Sequence, residues 1–296
     1  MSVHAPVVPI NLATQQAGSG APPAKAYQLV SRQAYVEDTV VSVGEARFGG
    51  GHFAVIAGPC AVESRNQVLE TAHAVREAGA AMLRGGAYKP RTSPYDFQGL
   101  GEEALALLAL AREETGLPIV TEVMDSEDVA IVARYADMLQ IGARSMSSFR
   151  LLQKVAATGK PVLLKRGYQA SIREWLLSAE YLLAAGNSQV VLCERGLRTP
   201  DSEFTRNTLD LTAIALAHLE THLPVIADPS HGTGRADLVP TMSCAAIAAG
   251  ADGLMLEVHS DPASALCDGK QSLTTAAFHA LCLRLPAYLE LEGKRV

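Results

Sequence analysis

The sequence has few cysteines and no long apolar run. Its five cysteines among 296 residues are odd in number and widely spaced, and none forms a CxxC pair. This pattern argues against a disulfide framework and favours a reducing compartment. No run of about 18 apolar residues indicates a membrane span, and no basic segment followed by an apolar stretch marks a signal peptide. The sequence therefore predicts a cytoplasmic protein that does not bind a membrane.

Positive charge is also scarce. The chain has 25 Lys and Arg residues against 31 Asp and Glu residues, and its formal net charge is -6 at pH 7. Nucleic-acid and anionic-membrane binders usually carry a basic excess or a basic run, so neither kind of partner is expected. The sequence contains neither a GxGxxG motif nor a P-loop. What it has instead is a large apolar fraction of 48% against 19% charged residues, which is typical of a globular protein with a large core.

Short apolar runs alternate with helical patterns along most of the chain. Predicted strands lie at 53–57, 80–84, 118–122, 137–141, 161–165, 189–193, 224–227 and 252–257. Predicted helices lie at 66–78, 101–115, 126–135, 148–158, 171–185, 208–220, 237–249 and 275–289. Because parallel neighbours need crossover connections, this alternation predicts a parallel sheet. Eight strand–helix units over roughly 240 residues have the size of a (β/α)8 TIM barrel, with a doubly wound open sheet as the alternative.

Two N-terminal features precede the predicted barrel. Residues 1–25 are rich in Ala, Pro, Gly, Ser and Gln, and we interpret them as a flexible leader. Residues 39–57 contain two short β-rich runs around a glycine-rich turn, which predict a small β-hairpin before the first barrel strand. Residues 26–296 are then expected to form a single catalytic domain.

Cationic side chains collect where the predicted strands end, which is where a TIM barrel has its active site. These residues are Arg84, Lys89, Arg91, Arg144, Lys165, Arg166 and Arg195. Converging positive charges repel one another, and they are tolerated in one cleft when anions occupy it. The alternative for any one arginine is an ion pair with a nearby carboxylate. For the whole set, the strand-end positions favour a site for an anionic substrate.

A second group of side chains could ligate a metal. It comprises Cys60, His231, Glu257 and Asp268. These residues follow or lie in different strands, so only folding could bring them together. A thiolate, an imidazole and two carboxylates would accept Mn, Fe, Co or Zn. Spacing alone leaves the ordinary alternatives open, because a buried cysteine is usually an inert core residue and a single histidine is often structural.

Long motifs occur in order along the chain. They are GPCAVES (58–64), LRGGAYKPRTSPYDFQGLG (83–101), TEVMD (121–125), QIGAR (140–144), LLKRG (163–167), CERG (193–196), TRNTLDL (205–211), DPSHGTGR (228–235), LMLEVH (254–259) and DGKQSL (268–273). Together they resemble the 3-deoxy-D-arabino-heptulosonate 7-phosphate (DAHP) synthases of type I beta, which are near to the 3-deoxy-D-manno-octulosonate 8-phosphate synthases. The resemblance covers about residues 26–290.

The resemblance implies an enzyme and a reaction. DAHP synthases are transferases that condense phosphoenolpyruvate with D-erythrose 4-phosphate and water, which gives DAHP and phosphate and opens aromatic amino-acid biosynthesis. The KPRTS segment at 89–93 resembles the erythrose 4-phosphate form, whereas octulosonate enzymes carry an Asn-Arg-Ser-Ser type of segment. An octulosonate synthase acting on arabinose 5-phosphate is the alternative.

The resemblance also implies site residues. The metal ligands are Cys60, His231, Glu257 and Asp268. The phosphoenolpyruvate site comprises Arg84, Lys89, Glu122, Ala143, Arg144, Lys165 and Arg195. The aldose-phosphate site comprises Lys89, Pro90, Arg91 and Thr92. Catalytic roles are expected for Lys89 as a general acid, for Glu122 in positioning water, and for Cys60 and His231 through the metal.

Two positions depart from the family pattern, and two further classes of function stay open. Ser145 stands where the family commonly has Asn, and Cys267 stands where it often has Ser.

A homo-oligomer, dimer or tetramer, is expected. Because only a short leader precedes the motifs, an appended regulatory domain is not expected, and a separate chorismate mutase stays open as a partner. The other classes are a non-catalytic barrel that acts as a scaffold and a Schiff-base aldolase that uses Lys165.

Overall fold

The chain begins with a β-hairpin and continues as a closed barrel. A computed structural model describes residues 26–91, 93–200 and 203–296, so the predicted leader (1–25) and Thr92 lie outside the described residues. Strands β1 (Val41–Val43) and β2 (Ala46–Phe48) pair antiparallel and confirm the predicted hairpin. Its turn lies at Gly44-Glu45, where Gly44 adopts a φ of 58° as such tight turns require. The three consecutive glycines follow β2 instead.

Eight parallel strands form the barrel. They are β3 (Ala54–Gly58), β4 (Met82–Arg84), β5 (Ile119–Val123), β6 (Met138–Ile141), β7 (Val162–Lys165), β8 (Val190–Glu194), β9 (Val225–Ala227) and β10 (Gly253–His259). Consecutive strands pair in order, and β10 pairs with both β9 and β3. The sheet therefore closes on itself. The predicted TIM barrel is confirmed, and the open-sheet alternative is wrong.

Helices follow the strands, and most of them cover the outside of the barrel. They are α1 (Arg65–Glu77), α2 (Glu102–Thr115), α3 (Val129–Tyr135), α4 (Phe149–Ala156), α5 (Ile172–Ala184), α6 (Leu211–Glu220), α7 (Pro229–Thr233), α8 (Val239–Ala248), α9 (Thr275–Cys282) and α10 (Leu285–Leu291). A 3-10 turn (Gly269–Gln271) leads into β11 (Leu273–Thr274), which extends the sheet beside β10. In the described ranges, no helix has the length and apolar character to cross a membrane.

The structure differs from the predicted helices at two places. The single helix expected at 275–289 is divided into α9 and α10. Pro286 explains the division, because it has no N–H to donate and its ring would collide with the preceding turn of a continuous helix. It lies instead in the first turn of α10. The short helix α7 is not among the predicted helices, although Asp228 and Pro229 are typical helix-start residues.

Alternate strand residues divide between two cores. One side of each strand packs against the helices, and the other side fills the barrel interior, for example with Ile56, Leu163 and Cys193. Val41 and Phe48 of the hairpin join the interior cluster. A Cβ on Gly253, which begins β10, would meet Phe48, so the hairpin plugs the end of the barrel where the strands begin. The opposite mouth of the barrel, which carries the polar residues, is therefore its open end.

Candidate active site at the carboxyl ends of the barrel strands

The four predicted metal ligands come together at the barrel mouth. Cys60 follows β3, His231 lies in α7, Glu257 lies in β10, and Asp268 follows β10. One ligand atom from each residue lies within 4.8 Å of the ligand atoms of the others. The closest pairs are His231 Nε2 and Glu257 Oε1 at 3.3 Å, and Cys60 Sγ and Asp268 Oδ2 at 3.4 Å. The fold thus builds one four-donor group from distant parts of the sequence.

The protonation states of the two acids and of the histidine suit a cation. Burial raises the pKa of Asp268, but His231 and Arg206 outweigh it and bring the value to about 2. Burial also opposes ionisation of Glu257, yet His231 and Arg84 hold its pKa below the usual range. Burial lowers the pKa of His231 against the opposing effect of its acidic neighbours. The two acids are therefore carboxylates and the histidine is a neutral imidazole at pH 7, which are the forms that bind metals.

Two further observations fit a bound cation. Glu257 Oε1 is fully buried, with Arg84 NH2 at 3.1 Å and His231 Nε2 at 3.3 Å, and within the described structure neither contact has the geometry of a hydrogen bond. Asp268 is the one non-glycine residue with a left-handed backbone in the described ranges, with a φ of 53°. Strained backbone of this kind persists where the surrounding structure imposes it, as at functional sites. The donor set of sulfur, nitrogen and oxygen matches Mn, Fe, Co or Zn.

Asp228, which the sequence prediction missed, orients His231. Its Oδ1 accepts a hydrogen bond from the His231 backbone N–H at 3.0 Å, and its Oδ2 lies 2.8 Å from His231 Nδ1. The same Oδ2 pairs with Lys165 Nζ at 2.5 Å. With Nδ1 beside the Asp228 carboxylate, Nε2 faces Glu257, which is the arrangement that metal-binding histidines commonly show. The signal in the sequence was the helix-capping pattern Asp-Pro before Ser-His.

Gln271 and Arg206 support the two carboxylates of the group, and neither was predicted. Gln271 Nε2 donates to Glu257 Oε2 at 2.7 Å. Arg206 NH1 donates to Asp268 Oδ1 at 3.2 Å and to Gln271 Oε1 at 3.1 Å. Both residues lie in recognised motifs, TRNTLDL and DGKQSL, so their positions in the sequence were the available signal.

The thiol of Cys267, one of the two departures from the family pattern, lies beside the group. Its Sγ is 3.2 Å from Cys60 Sγ and 3.0 Å from Arg91 NH1. Lys89 Nζ lies 3.0 Å from Cys60 Sγ. Burial lowers the pKa of Lys89, but the anionic forms of Cys60, Cys267 and Glu257 raise it above its usual value. Lys89 is therefore an ammonium at neutral pH.

Six of the seven predicted cationic residues line one cavity beside the four-donor group. The lining includes Arg84, Lys89, Pro90, Arg91, Glu122, Ala143, Arg144, Lys165, Arg195 and His231. It also includes Gln140, Tyr168 and Arg206, which were not predicted. The predicted substrate-site residues that the structure describes thus meet at one mouth. Thr92 lies outside the described residues.

The guanidinium groups of Arg84 and Arg195 retain unused donors. Arg84 NH2 pairs with Glu257 Oε1 at 3.1 Å, but its buried Nε and NH1 find no partner within residues 26–91, 93–200 and 203–296. In the same ranges, Nε and NH1 of Arg195 are also buried without a partner, and only 2% of this residue is exposed. Buried donors are nearly always paired in proteins, so these groups indicate an anion that the site receives.

Arg166, which was expected to join this cluster, belongs elsewhere. Its NH1 pairs with Glu194 Oε2 at 3.0 Å and with Asp210 Oδ2 at 2.9 Å, and its guanidinium lies over the Trp175 ring. Arg166 follows Lys165, and successive strand residues point to opposite faces. Lys165 points into the mouth, so Arg166 points toward the helices. For this residue the alternative of a local ion pair is correct.

Glu122 faces the cavity, where Gln140 Nε2 donates to its Oε2 at 2.9 Å. Gly142, the glycine of QIGAR, is needed for this placement. A Cβ at Gly142 would overlap Oε1 of Glu122. The glycine therefore creates the space in which the carboxylate lies.

Comparisons with known proteins identify the family. The model of the DAHP synthetase I family matches residues 31–285. A phospho-2-dehydro-3-deoxyheptonate aldolase from Thermotoga maritima is 51% identical over 272 residues, which cover 92% of this chain and 80% of the relative. A 2-dehydro-3-deoxyphosphooctonate aldolase from Nitratidesulfovibrio vulgaris is 37% identical over 266 residues, which cover 83% of this chain and 95% of the relative.

A solved structure shows the same architecture. The crystal structure of the phospho-2-dehydro-3-deoxyheptonate aldolase (DAHP synthase) from Thermotoga maritima matches with a TM-score of 0.90 and 50% sequence identity. The match covers 93% of this chain and 80% of that chain. The likeness therefore extends from the sequence motifs to the whole barrel.

Proposed function

The chain belongs to the DAHP synthetase I family, and we propose that the residues at its barrel mouth carry out the DAHP synthase reaction. The enzyme is a transferase that joins phosphoenolpyruvate to D-erythrose 4-phosphate, consumes water, and releases DAHP and phosphate. This reaction opens aromatic amino-acid biosynthesis. The observation that carries the residue assignment is the presence of buried, unpaired guanidinium donors in the same cavity as the four-donor group.

Phosphoenolpyruvate has two anionic ends, and the cavity offers cations for both. We assign its phosphate to Arg144, Lys165 and Arg195, which follow or end three neighbouring strands. We assign its carboxylate to Arg84 and Lys89, which lie nearer Glu257 and Cys60. Guanidinium forks suit both anions, because two parallel N–H groups can meet two oxygens. Fixing both ends would orient C3 of the enol toward the aldehyde.

The four-donor group would hold a divalent metal, for which Mn, Fe, Co and Zn are the candidates. When bound, such an ion supplies Lewis acidity toward the aldehyde oxygen. The protein contributes the ligands Cys60, His231, Glu257 and Asp268. Asp228, Gln271 and Arg206 keep three of these ligands oriented through the contacts described above.

The remaining roles fall to Lys89 and Glu122. Attack of C3 on the aldehyde carbon forms the new C–C bond and leaves an alkoxide, to which the Lys89 ammonium would donate a proton. Water then adds at C2, and phosphate departs with cleavage of its C–O bond. We propose that Glu122 positions this water, since its carboxylate faces the cavity and is held by Gln140. The proton that the water loses balances the proton that Lys89 gives.

Erythrose 4-phosphate is the aldose that the KPRTS segment favours. Lys89, Pro90 and Arg91 line the cavity, and we assign them with Thr92 to the aldose phosphate. The higher identity to the heptulosonate relative than to the octulosonate relative, 51% against 37%, supports this choice.

Phosphate release from phosphoenolpyruvate tests the function directly. The assay uses erythrose 4-phosphate, arabinose 5-phosphate and ribose 5-phosphate, each with and without added Mn²⁺. We expect metal-dependent release that is fastest with erythrose 4-phosphate. Faster release with arabinose 5-phosphate would instead make the chain an octulosonate synthase. No release with any aldose phosphate would favour the scaffold alternative.

Three predictions from the sequence concern the surroundings of the enzyme. We propose that the chain forms a homo-oligomer, dimer or tetramer, that it is located in the cytoplasm, and that a chorismate mutase is a candidate partner. Light scattering of the purified chain, alone and after addition of a chorismate mutase from the same source, would measure the first and third of these.

A further inference from the structure

Tyr168 lies among three arginines at the barrel mouth. It follows β7 and lines the cavity, and the centre of its ring lies 4.6 Å from Cζ of Arg195 and 5.6 Å from Cζ of Arg144. Arg198 lies on the same ring at 5.1 Å, and its backbone N–H donates to the Tyr168 carbonyl at 2.8 Å. Arg144 follows β6 and Arg195 follows β8. The ring from the middle strand therefore contacts arginines from both neighbouring strands.

The partners of these arginines differ from those of other arginines at the mouth. Arg84 pairs with Glu257, and Arg206 pairs with Asp268. Over the part of the chain that the structure describes, neither Arg144 nor Arg195 has a carboxylate within ion-pair distance. The contact that the two share is the face of Tyr168.

An aromatic face and a carboxylate have different consequences for a bound arginine. A carboxylate neutralises the guanidinium and uses the N–H donors that a phosphate would need. A ring attracts the cation through its quadrupole and leaves the charge and the edge N–H groups available. The buried, unpaired Nε and NH1 of Arg195 are what this arrangement would produce.

We propose that Tyr168 is a positioning residue for phosphate recognition, because its ring holds Arg144 and Arg195 in place without neutralising them. This inference rests on the proposed assignment of those two arginines to the phosphate of phosphoenolpyruvate. It adds a residue to which the sequence motifs gave no role. The ring, rather than the hydroxyl, is the group that acts.

The test compares Tyr168→Phe with Tyr168→Leu in the full chain. The phenylalanine keeps the aromatic face, and the leucine removes it. The measurements are the Kd of inorganic phosphate by isothermal titration, and KM for phosphoenolpyruvate together with kcat. Loss of two cation–π contacts should weaken phosphate binding by about tenfold and raise KM for phosphoenolpyruvate similarly in Tyr168→Leu. kcat should change less, and Tyr168→Phe should bind like the wild type.

Tyr135→Leu is the matched control. Arg134 lies over the Tyr135 ring at 6.0 Å, and both residues lie at the carboxyl end of α3, just before β6 begins. Neither residue lines the cavity, so loss of this tyrosine–arginine contact should leave phosphate affinity unchanged. Co²⁺ affinity is measured in every variant. If Tyr168→Leu disturbed the structure in general, it would lower the affinity for Co²⁺ as well. The proposal predicts that the affinity for Co²⁺ does not change. If Tyr168→Leu does not fold, Tyr168→Gln removes the ring at similar size.

Arg195→Ala separates failure of this inference from failure of the proposed function. Weaker phosphate binding in Arg195→Ala but not in Tyr168→Leu would overturn the role of Tyr168 and leave the phosphate site standing. Equal losses in Tyr168→Phe and Tyr168→Leu would also overturn it, because the hydroxyl would then be the acting group. Unchanged binding in Arg195→Ala would contradict the phosphate assignment itself.

Discussion

Cys60 Sγ and Cys267 Sγ lie 3.2 Å apart, yet only Cys60 belongs to the four-donor group. Cys60 follows a barrel strand and lies with His231, Glu257 and Asp268, whereas Cys267 contacts Arg91. Two neighbouring thiols are therefore expected to differ in function.

Cys60→Ala should abolish metal binding, and Cys267→Ala should preserve it. Only the first substitution removes a ligand from the group. Co²⁺ titration provides the measurement, because a thiolate ligand produces a near-ultraviolet charge-transfer absorption. We expect this absorption in Cys267→Ala and not in Cys60→Ala. The opposite pattern would place the metal on Cys267.

Removal of metal should abolish activity reversibly. A chelator such as dipicolinic acid would take the ion from the four-donor group, and Mn²⁺ or Co²⁺ should restore phosphate release. Circular dichroism before and after chelation checks that the barrel stays folded. Full activity in a protein that contains no metal by elemental analysis would rule out the proposed role of the group.

Gly142→Ala should lower kcat by about a hundredfold, the scale of a small misplacement in an active site. The added methyl group would displace the Glu122 carboxylate. Co²⁺ affinity should stay unchanged, because Glu122 is not a ligand. Gly167→Ala is the control, since its Cβ would approach no atom closer than 3.3 Å. Similar kcat values for the two variants would count against a role for Glu122.

Stability of the metal-free protein should fall as pH decreases through the ordinary pKa of histidine, about 6.5. Burial lowers the pKa of His231 in the folded chain. The unfolded chain then binds more protons in this range, so acid favours unfolding. Urea unfolding at pH 7.5 and pH 5.5 measures the effect, which should be smaller in His231→Asn. His279→Asn, on the exposed surface of α9, should keep the full pH dependence.

Borohydride should trap no adduct between substrate and Lys165. Nζ of this lysine forms a buried ion pair with Asp228, and a Schiff base requires the free amine. Mass spectrometry of the protein after treatment with phosphoenolpyruvate, erythrose 4-phosphate and borohydride gives the answer. A mass increase that is absent from Lys165→Met would favour the aldolase alternative.

Much of the fold and of the site could be predicted because the relevant patterns are local. The alternation of apolar runs and helical patterns requires a parallel sheet of eight strands, and the observed strands lie close to the predicted ones. Motif matches also placed Cys60, His231, Glu257 and Asp268 at strand ends. The boundary between α9 and α10 was missed although it too is local, since Pro286 marks it.

The direction of the side chain distinguishes arginines that occupy similar positions in the sequence. Arg166 and Arg195 both follow strands, but Arg166 points toward the helices and pairs with Glu194, while Arg195 points into the mouth. The period of two along each strand determines this outcome. Leu163 and Cys193 face the barrel interior, so Lys165 and Arg195, two residues further on, face the mouth.

The sequence by itself determined the order of strands and helices and the kinds of donor at each strand end, because these depend on neighbours along the chain. Only the tertiary structure decided which donors meet. Closure of the barrel brings β3 beside β10 and so places Cys60 near Glu257 and Asp268. Asp228, Gln271, Arg206 and Tyr168 acquired their contacts in the same way, since those distances join residues that are far apart in sequence or depend on how a side chain is directed.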